Sequence, residues 1–299
     1  MEQGSKEWHQ ERMLGIGGSD AAAALGLSHW KTPFQLYEEK LGLSEPIDET
    51  WDMSRGKAME PLLRQHFADT YGVNVSVPTA AMVSAKYPYM RYNPDGLTDD
   101  GILCEFKTAR YSKDWGAPNS DEVPQEYLLQ IQHGLIVTGF DVARPSVSIG
   151  GGEPVYYEVK ADRNLQEMII ESEAAFWERV QNRIPPDATT NEDVARKFRR
   201  VNGLPIAADD IINRALGNLR ACRDGIKTLE TEKEHYEVEI KNFMGENDTL
   251  VDQYGVPLAT WKLQRGAVRI DSKRLKAEQP ALAAQYSQQG EDGRRFLLK

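Results

Sequence analysis

The chain has 299 residues, 40% of them hydrophobic, and 36 Lys+Arg against 46 Asp+Glu give a formal net charge of −10. That length holds one large domain or two ordinary ones with enough apolar content for a core. The only cysteines, Cys104 and Cys222, exclude a disulfide framework, a four-thiolate zinc site and a four-cysteine iron–sulfur cluster.

Both cysteines are expected to be reduced and buried. Neither terminus carries a signal-peptide pattern and no apolar run is long enough to span a bilayer, so no membrane role and a cytoplasmic location are expected.

Ser5-Lys6-Glu7-Trp8-His9-Gln10-Glu11-Arg12 opens on a capping residue and predicts a short first helix, with Trp8 and Met13 toward a core. Gly15-Ile16-Gly17-Gly18-Ser19-Asp20 then makes a corner into Ala21-Ala22-Ala23-Ala24-Leu25, a strong helix former with Ser19 as its N-cap. Such a corner can grip a phosphate, or it is simply a helix-to-helix turn. A dinucleotide fingerprint is rejected because Asp20 stands where the third glycine belongs and a helix precedes it. A phosphate loop at Gly56-Lys57 fails because Trp51 replaces the first glycine and Ala58 follows the lysine.

Thr32 as cap, Pro33 at the first helical position and Gly42 as stop bound a second helix. A longer helix is predicted from Ser54 to Tyr71, with Met59, Leu62, Leu63, Phe67 and Tyr71 as its apolar stripe and Gly72 as its end. Glu60, taken alone, is a solvated helix acid. Val73 to Val77 and Ala81 to Val83 read as strands.

Pro94-Asp95-Gly96 is turn chemistry that holds Asp95 at a strand end, and Asp99-Asp100-Gly101 is a second turn. Ile102-Leu103-Cys104-Glu105-Phe106-Lys107 follows as a strand with Cys104 and Phe106 on one face, Glu105 and Lys107 on the other. Two carboxylates converging beside one ammonium repel each other, and a hard divalent cation such as Mg²⁺ supplies the missing charge and prefers oxygen ligands. The lysine would orient or deprotonate a water. The plain alternative is a surface hairpin with one exposed ion pair.

Glu122 to Leu135 reads as a helix with proline in its first turn, a polar face of Tyr127, Gln130 and His133 or Gly134, and a core face of Leu128, Ile131 and Leu135. His133 is expected to be a helix-face residue, not a catalyst. Val142 to Ile149 and Val155 to Val159 are strands around a Gly150–Pro154 loop. A helix from Asp162 to Gln181 carries Leu165, Met168, Ile169, Ala175, Phe176 and Val180. Pro185-Pro186 marks a domain boundary, and Thr189 to Pro205 reads as a linker or irregular connection.

From Ile212 a heptad register runs through Leu219, Ile226, Lys233 and Ile240 at one seam position and Ala215, Cys222, Leu229, Tyr236 and Phe243 at the other, in a helix from Asp209 to Met244. It either projects or pairs, or it packs antiparallel on its own domain. A hairpin over Thr249–Val256 and Pro257–Leu263, a short helix at Asp271–Ala277 and a terminal strand at Arg294–Leu298 complete the chain. Lys262, Arg265, Arg269, Lys273, Arg274 and Lys276 form either a DNA-facing patch or a solvated basic face.

The Pro94-Asp95…Glu105-x-Lys107 arrangement resembles the PD-(D/E)xK nuclease signature. Trp8-His9-x-x-Arg12 before Gly18-Ser19-Asp20, Gly56-Lys57-x-x-Glu60-Pro61, and Tyr127-x-x-Gln130-x-Gln132 resemble, in order, the other motifs of its YqaJ and lambda exonuclease branch. The resemblance covers roughly residues 5 to 182. It implies an α/β (α+β) fold with a restriction-endonuclease-like core, a central mixed β-sheet flanked by helices. Residues 1–186 would be the nuclease domain, 187–208 a linker, and 209–299 an accessory region of a long helix and a small β-hairpin element. By the same resemblance Asp95 bridges two Mg²⁺ ions, for which Mn²⁺ can substitute. Glu105 and the Phe106 carbonyl complete one metal site, Glu60 supports the other through water, and Lys107 positions the nucleophile. Arg12 and Ser19 hold a 5′-phosphate, with Asn93, Tyr127, Gln130 and Gln132 on the DNA and Gln130 preferred to Gln132. Asn93 departs from a serine common in the lambda enzyme's branch, which puts its phosphate role in doubt.

What the resemblance implies for function is a metal-dependent 5′→3′ exonuclease on linear double-stranded DNA with a 5′-phosphate end. It would leave a 3′ single strand for a single-strand annealing protein in phage-type recombination, with a homotrimer favoured and a phage or prophage origin. Net charge opposes a nucleic-acid partner, but the acidic excess lies in residues 1–190, with 17 Lys+Arg against 29 Asp+Glu, while the remainder has 19 against 17. The rivals are an endonuclease or repair nuclease on the same core, and a non-enzymatic DNA-binding module.

Overall fold

The computed structural model describes residues 5–44, 48–290 and 293–299. The chain divides into two compact units, one ending at Arg199 and one beginning at Arg200.

The first unit begins with α1 (Lys6–Arg12), whose N-cap Ser5 accepts from the Trp8 amide. The glycine-rich corner that follows is more than a turn. It contains β1 (Ile16–Gly17) and a 3₁₀ turn (Gly18–Asp20) leading to α2 (Ala21–Ala24). Ser19 is therefore inside the turn and caps no helix; the Gly17 amide instead donates to Asp20 Oδ2 at 3.1 Å. α3 (Pro33–Lys40) has the expected Thr32–Gln35 capping box. α4 (Trp51–Tyr71) begins three residues earlier than expected, because Thr50 caps it by accepting from the Met53 amide, and Gly72 ends it at φ +62°. Its buried stripe is narrower than expected: Leu63 and Phe67 are buried while Leu62, one position around the helix, is exposed.

β2 (Val75–Ser76), β3 (Met82–Val83), β4 (Met90–Tyr92), β5 (Gly96–Thr98) and β6 (Ile102–Ala109) follow, then α5 (Gln125–Thr138) and β7 (Val142–Ile149). The segment expected as one strand to Val159 is two, β8 (Val155–Tyr156) and β9 (Val159–Lys160). Between them the Tyr157 amide donates to Pro145 O at 2.9 Å, and both strands pair antiparallel with β7. The main sheet runs β2-β5-β6-β7-β8 with β9 also on β7. β6 and β7 are parallel along their full length, from Ile102↔Val142 to Ala109↔Ile149. A parallel pair needs a crossover, and α5 supplies it. β1 and β3 flank β4 in a smaller sheet.

Alternation along β6 assigns the two faces. Cys104 and Phe106 pack with Leu63 and Phe67 of α4. Leu103 joins Leu129, Ile131 and Leu135 of α5, Ala143 and Val147 of β7, and Ile169 of α6 (Arg163–Gln181). The sheet is mixed and has helices on both faces, as expected. On α6, Met168 and Ala175 face solvent, not the core, while Ile169, Phe176 and Val180 are buried. α5 has no solvated polar face: Gln132 and His133 are as buried as Leu135.

The stretch expected to be an irregular linker holds α7 (Asn191–Lys197). Its Asp193 carboxylate is fully buried and accepts from the Thr189 and Thr190 amides at 3.1 and 3.3 Å and from the Thr32 hydroxyl at 3.0 Å. Those bonds carry the first unit to Arg199, past the boundary expected at 186.

The second unit consists of α8 (Asp210–Met244), a hairpin of β10 (Thr249–Val251) and β11 (Pro257–Thr260), α9 (Ser272–Glu278) and α10 (Pro280–Gln285). α8 is unbroken through Gly217 and Gly225, with Asp209 as its cap. α10 was not foreseen, and residues 294–298 form no strand. Cys104 is buried, but Cys222, on α8, is exposed. Among the described residues no helix is long and apolar enough to cross a membrane.

Candidate active site

The hairpin of β5 and β6 places the acids. Gly96 lies so close to Val75 that a Cβ there would meet Val75 Cγ1 at 2.4 Å, so the chain leaving Asp95 must be glycine. Asp95 Oδ2 accepts from the Phe106 amide at 2.9 Å. Phe106 is thus tied to Asp95 through its N–H. Lys107 Nζ stands 2.6 Å from Glu105 Oε2 and 3.7 Å from Asp95 Oδ2. Glu105 is only 1% exposed, which rules out the surface-hairpin reading.

Glu105 is held at both oxygens. The Tyr92 hydroxyl donates to Oε1, and Gln130 Nε2 donates to Oε2 at 2.9 Å. Burial, reinforced by Asp95, pushes the Glu105 carboxyl up to about 7, against the opposing pull of Lys107. Burial alone would lower Lys107, but Glu105 and Asp95 outweigh it and hold the ammonium above its ordinary range, so it stays protonated. Burial and the nearby Glu105 charge keep the Tyr92 phenol well above its usual value, hence a hydrogen-bond donor.

Glu60 is at the rim. Its Oε1 accepts from Arg64 Nη2 one turn along α4, and Arg64 Nε donates to Asp95 O at 3.0 Å. Burial and Asp95 raise the Glu60 carboxyl against the pull of Arg64 and Lys107. The Asp95–Glu105 pair is the hard-oxygen donor set that Mg²⁺ takes. Two carboxylates meeting the single ammonium of Lys107 leave one negative charge at the pair, so the residues fit a divalent cation. Among the described residues no three His, Cys, Asp or Glu side chains form a ready metal cage. Glu60, the third acid, is turned to Arg64.

Arg12 and Ser19 come together beside this centre. Arg12 Nη1 donates to Ser19 Oγ at 3.2 Å, Nη2 donates to Asp20, and the guanidinium lies 4.9 Å from the Trp8 ring centre. Asp20 also accepts from the buried Lys40 Nζ at 2.6 Å, while Lys31 pairs with Glu39. Burial would raise Asp20, but Arg12, Lys40 and Lys31 outweigh it and hold it far below the usual carboxylate range. Three cations against two carboxylates leave one surplus positive charge.

The two centres meet at Tyr92, whose ring lies between two glycines. A Cβ on Gly18 would stand 2.6 Å from Tyr92 Cε2 and 3.3 Å from Gln130 Cγ, and one on Gly134 would stand 2.6 Å from Tyr92 Cζ. Tyr127 is half-buried with its ring centre 5.8 Å from Lys107 Nζ, and Trp30 lies 6.5 Å from it. Asn93 is exposed.

Gln132 is not brought to the site. Its Nε2 donates to Lys160 O at 2.7 Å and its Oε1 accepts from the Asp162 amide and Gln166, so it ties α5 to α6 and β9 and has no group free for DNA. His133, expected on a polar helix face, is instead fully buried between Glu173 Oε1 at 2.8 Å and Arg91 O at 2.9 Å. Sequence reasoning missed Tyr92, Arg64, Asp20 and Lys40. Of these only Arg64 had a local signal, its i, i+4 spacing from Glu60.

The model of the YqaJ-like viral recombinase domain matches residues 7–141. The YqaJ protein of Bacillus subtilis (strain 168) is 30% identical over 288 residues, spanning 92% of this chain and 88% of that protein. The alkaline exonuclease LHK-Exo from Laribacter hongkongensis superposes with a TM-score of 0.50 at 20% identity, over 60% of this chain and 94% of its own, alone and in complex with dAMP. That likeness shows a shared fold. Identity along nearly the whole length of both proteins, together with the domain match over the segment bearing Arg12, Asp95 and Lys107, makes this chain a member of the YqaJ-like viral recombinase family.

Proposed function

We propose that the chain is a divalent-cation-dependent deoxyribonuclease, a 5′→3′ exonuclease. It would begin at 5′-phosphorylated ends of linear double-stranded DNA and leave a 3′ single strand for an annealing protein. The observation that carries this reading is the convergence of Asp95 and Glu105 on Lys107, with the Arg12–Ser19 pair adjoining through Gly18 and Gln130. Membership in a viral recombinase family and a fold shared with an alkaline exonuclease support it. A ring-shaped trimer of the first unit and work in the cytoplasm belong to the same proposal.

Asp95 and Glu105 would hold two Mg²⁺ or Mn²⁺ ions, with the Phe106 carbonyl and, once released from Arg64, Glu60. When bound, such ions supply Lewis acidity at the scissile phosphate and sharpen the acidity of water. Lys107, held protonated by both acids, orients the attacking water and gives charge to the phosphate; it is a donor in this scheme and not a base. Gln130 and Tyr92 fix the two oxygens of Glu105. Arg12 and Ser19 take the terminal phosphate, and the Tyr127 ring walls the cleft next to Lys107.

The test is Mg²⁺-dependent nucleotide release from 5′-phosphorylated linear duplex by the wild type, Asp95→Ala and Lys107→Ala. Activity should vanish in both variants, fall on 5′-hydroxyl ends and spare circular duplex. Unchanged activity in both variants defeats the site. Cutting of circles would select the endonuclease reading, and binding without cleavage the interaction module.

A further inference from the structure

α8 spans 35 residues, roughly 52 Å at 1.5 Å per residue, and its apolar seam is uncovered. Ile212, Leu219, Ile226, Leu229, Tyr236 and Phe243 are between 37% and 79% exposed. Their seven-residue repeat is that of a two-helix coiled coil, and Gly217 and Gly225 lie off the seam. Charge is divided along the helix. From Asp210 to Lys227 there are four basic residues, Arg214, Arg220, Arg223 and Lys227, against two acids; from Thr228 to Met244 there are two lysines against five glutamates.

We propose that α8 pairs antiparallel with α8 of a second copy of this chain. Antiparallel pairing lays each basic half on the partner's acidic half. Parallel pairing in register would set like on like, stack Lys233 on Lys233, and bring Glu232 against the partner's Glu237. With the two seam positions interleaved, Ile226 faces the partner's Leu229, Leu219 faces the partner's Tyr236, and Ile212 faces the partner's Phe243. Small meets large as well: Cys222 lies opposite the partner's Lys233, where a parallel pair would stack Cys222 on Cys222 and Phe243 on Phe243. Arg223 flanks the partner's Glu230, twice by symmetry. The pairing uses the second unit alone and is independent of how the first unit assembles.

The test uses the full-length protein. Light scattering should give two chains, or six if the first unit forms trimers tied in pairs, and Ile226→Glu with Leu229→Glu should halve that mass while far-UV circular dichroism keeps its helical signal. Arg223→Glu should weaken association at least severalfold, and Arg223→Glu with Glu230→Arg should restore it, a rescue that loss of folding cannot produce. Under mild oxidation Lys233→Cys should form an interchain disulfide to Cys222. The wild type should not cross-link, because antiparallel register separates the two Cys222 residues by eleven positions, roughly 16 Å, beyond disulfide reach. One or three chains with the seam intact, a Cys222–Cys222 bond, or failure of the charge swap would each overturn the proposal. So would seam variants that lose DNA binding with no change in mass, which would assign the face to nucleic acid.

Discussion

Gln130 Nε2, on α5, donates to Glu105 Oε2, on β6, at 2.9 Å, so the crossover helix reaches back to the acid it follows in the chain. A hydrogen bond to a charged group is worth about 1.5–3 kcal/mol. On that scale Gln130→Ala should lower kcat/KM on linear duplex by roughly tenfold to a hundredfold. Gln130→Glu, which sets a second charge against Glu105, should lose more. Steady-state nucleotide release by the two variants checks the order, and equal losses would mean that the amide only fills space.

Tyr92→Phe removes the hydroxyl that donates to Glu105 Oε1 and should cost about 1–3 kcal/mol of stability. Chemical denaturation reads the loss directly, as a lower midpoint at unchanged slope.

His133 and Glu173 form a fully buried ion pair. Burial lowers His133, but Glu173 and the Arg91 carbonyl outweigh it and raise the imidazole above its ordinary value. A raised folded-state value stabilises fully below the unfolded value, about 6.5, and the stabilisation is lost as pH rises through the folded value. Tm should therefore decline on the alkaline side. His133→Leu, which strands Glu173 without a partner, should cost about 3–5 kcal/mol. His133→Leu with Glu173→Leu should recover much of that and flatten the alkaline decline, as Tm measured across pH would reveal.

Lys40 is buried against Asp20 and the Arg12 carbonyl, at 2.6 and 2.8 Å. Lys40→Met leaves Asp20 to Arg12 and the Gly17 amide and should cost about 3–5 kcal/mol as a broken buried pair. It should also narrow the preference for 5′-phosphate over 5′-hydroxyl ends, because Arg12 is then drawn wholly to Asp20. A preference ratio unchanged in a folded variant would remove Lys40 from end recognition.

Gly134→Ala pushes a methyl group into the Tyr92 ring, a rigid neighbour at 2.6 Å. Overpacking of this kind costs about 1–3 kcal/mol. Because the ring carries the hydroxyl bound to Glu105, activity should fall along with the thermal midpoint.

Turn chemistry and strand alternation made the β5–β6 hairpin legible, since Pro94, Gly96 and Gly101 fix local backbone and alternation alone separates Glu105 from Phe106. Helix ends were legible where a side chain caps its own helix, as Thr32 and Ser5 do. What escaped depends on partners far along the chain. Tyr92 matters because Glu105 is thirteen residues on, Lys40 because Asp20 is twenty residues back, and α7 because Asp193 reaches Thr32. Gln132, which the resemblance places on the DNA, is held inside for the same reason: Lys160 and Asp162, far along the chain, take its amide.

The domain match ends at residue 141, and β7 begins at Val142. β6, which carries Glu105 and Lys107, pairs with β7 along all eight of its residues. A fragment cut at the limit of the match would leave that strand as an open edge, a template for association with other chains, and would remove Pro145 and Val147, the strand partners of Glu105 and Lys107. The smallest piece able to fold around these acids is thus longer than the piece by which the family is recognised. Because Ile102 pairs with Val142 across an intervening helix, that pairing is a non-local contact of the kind that slows folding.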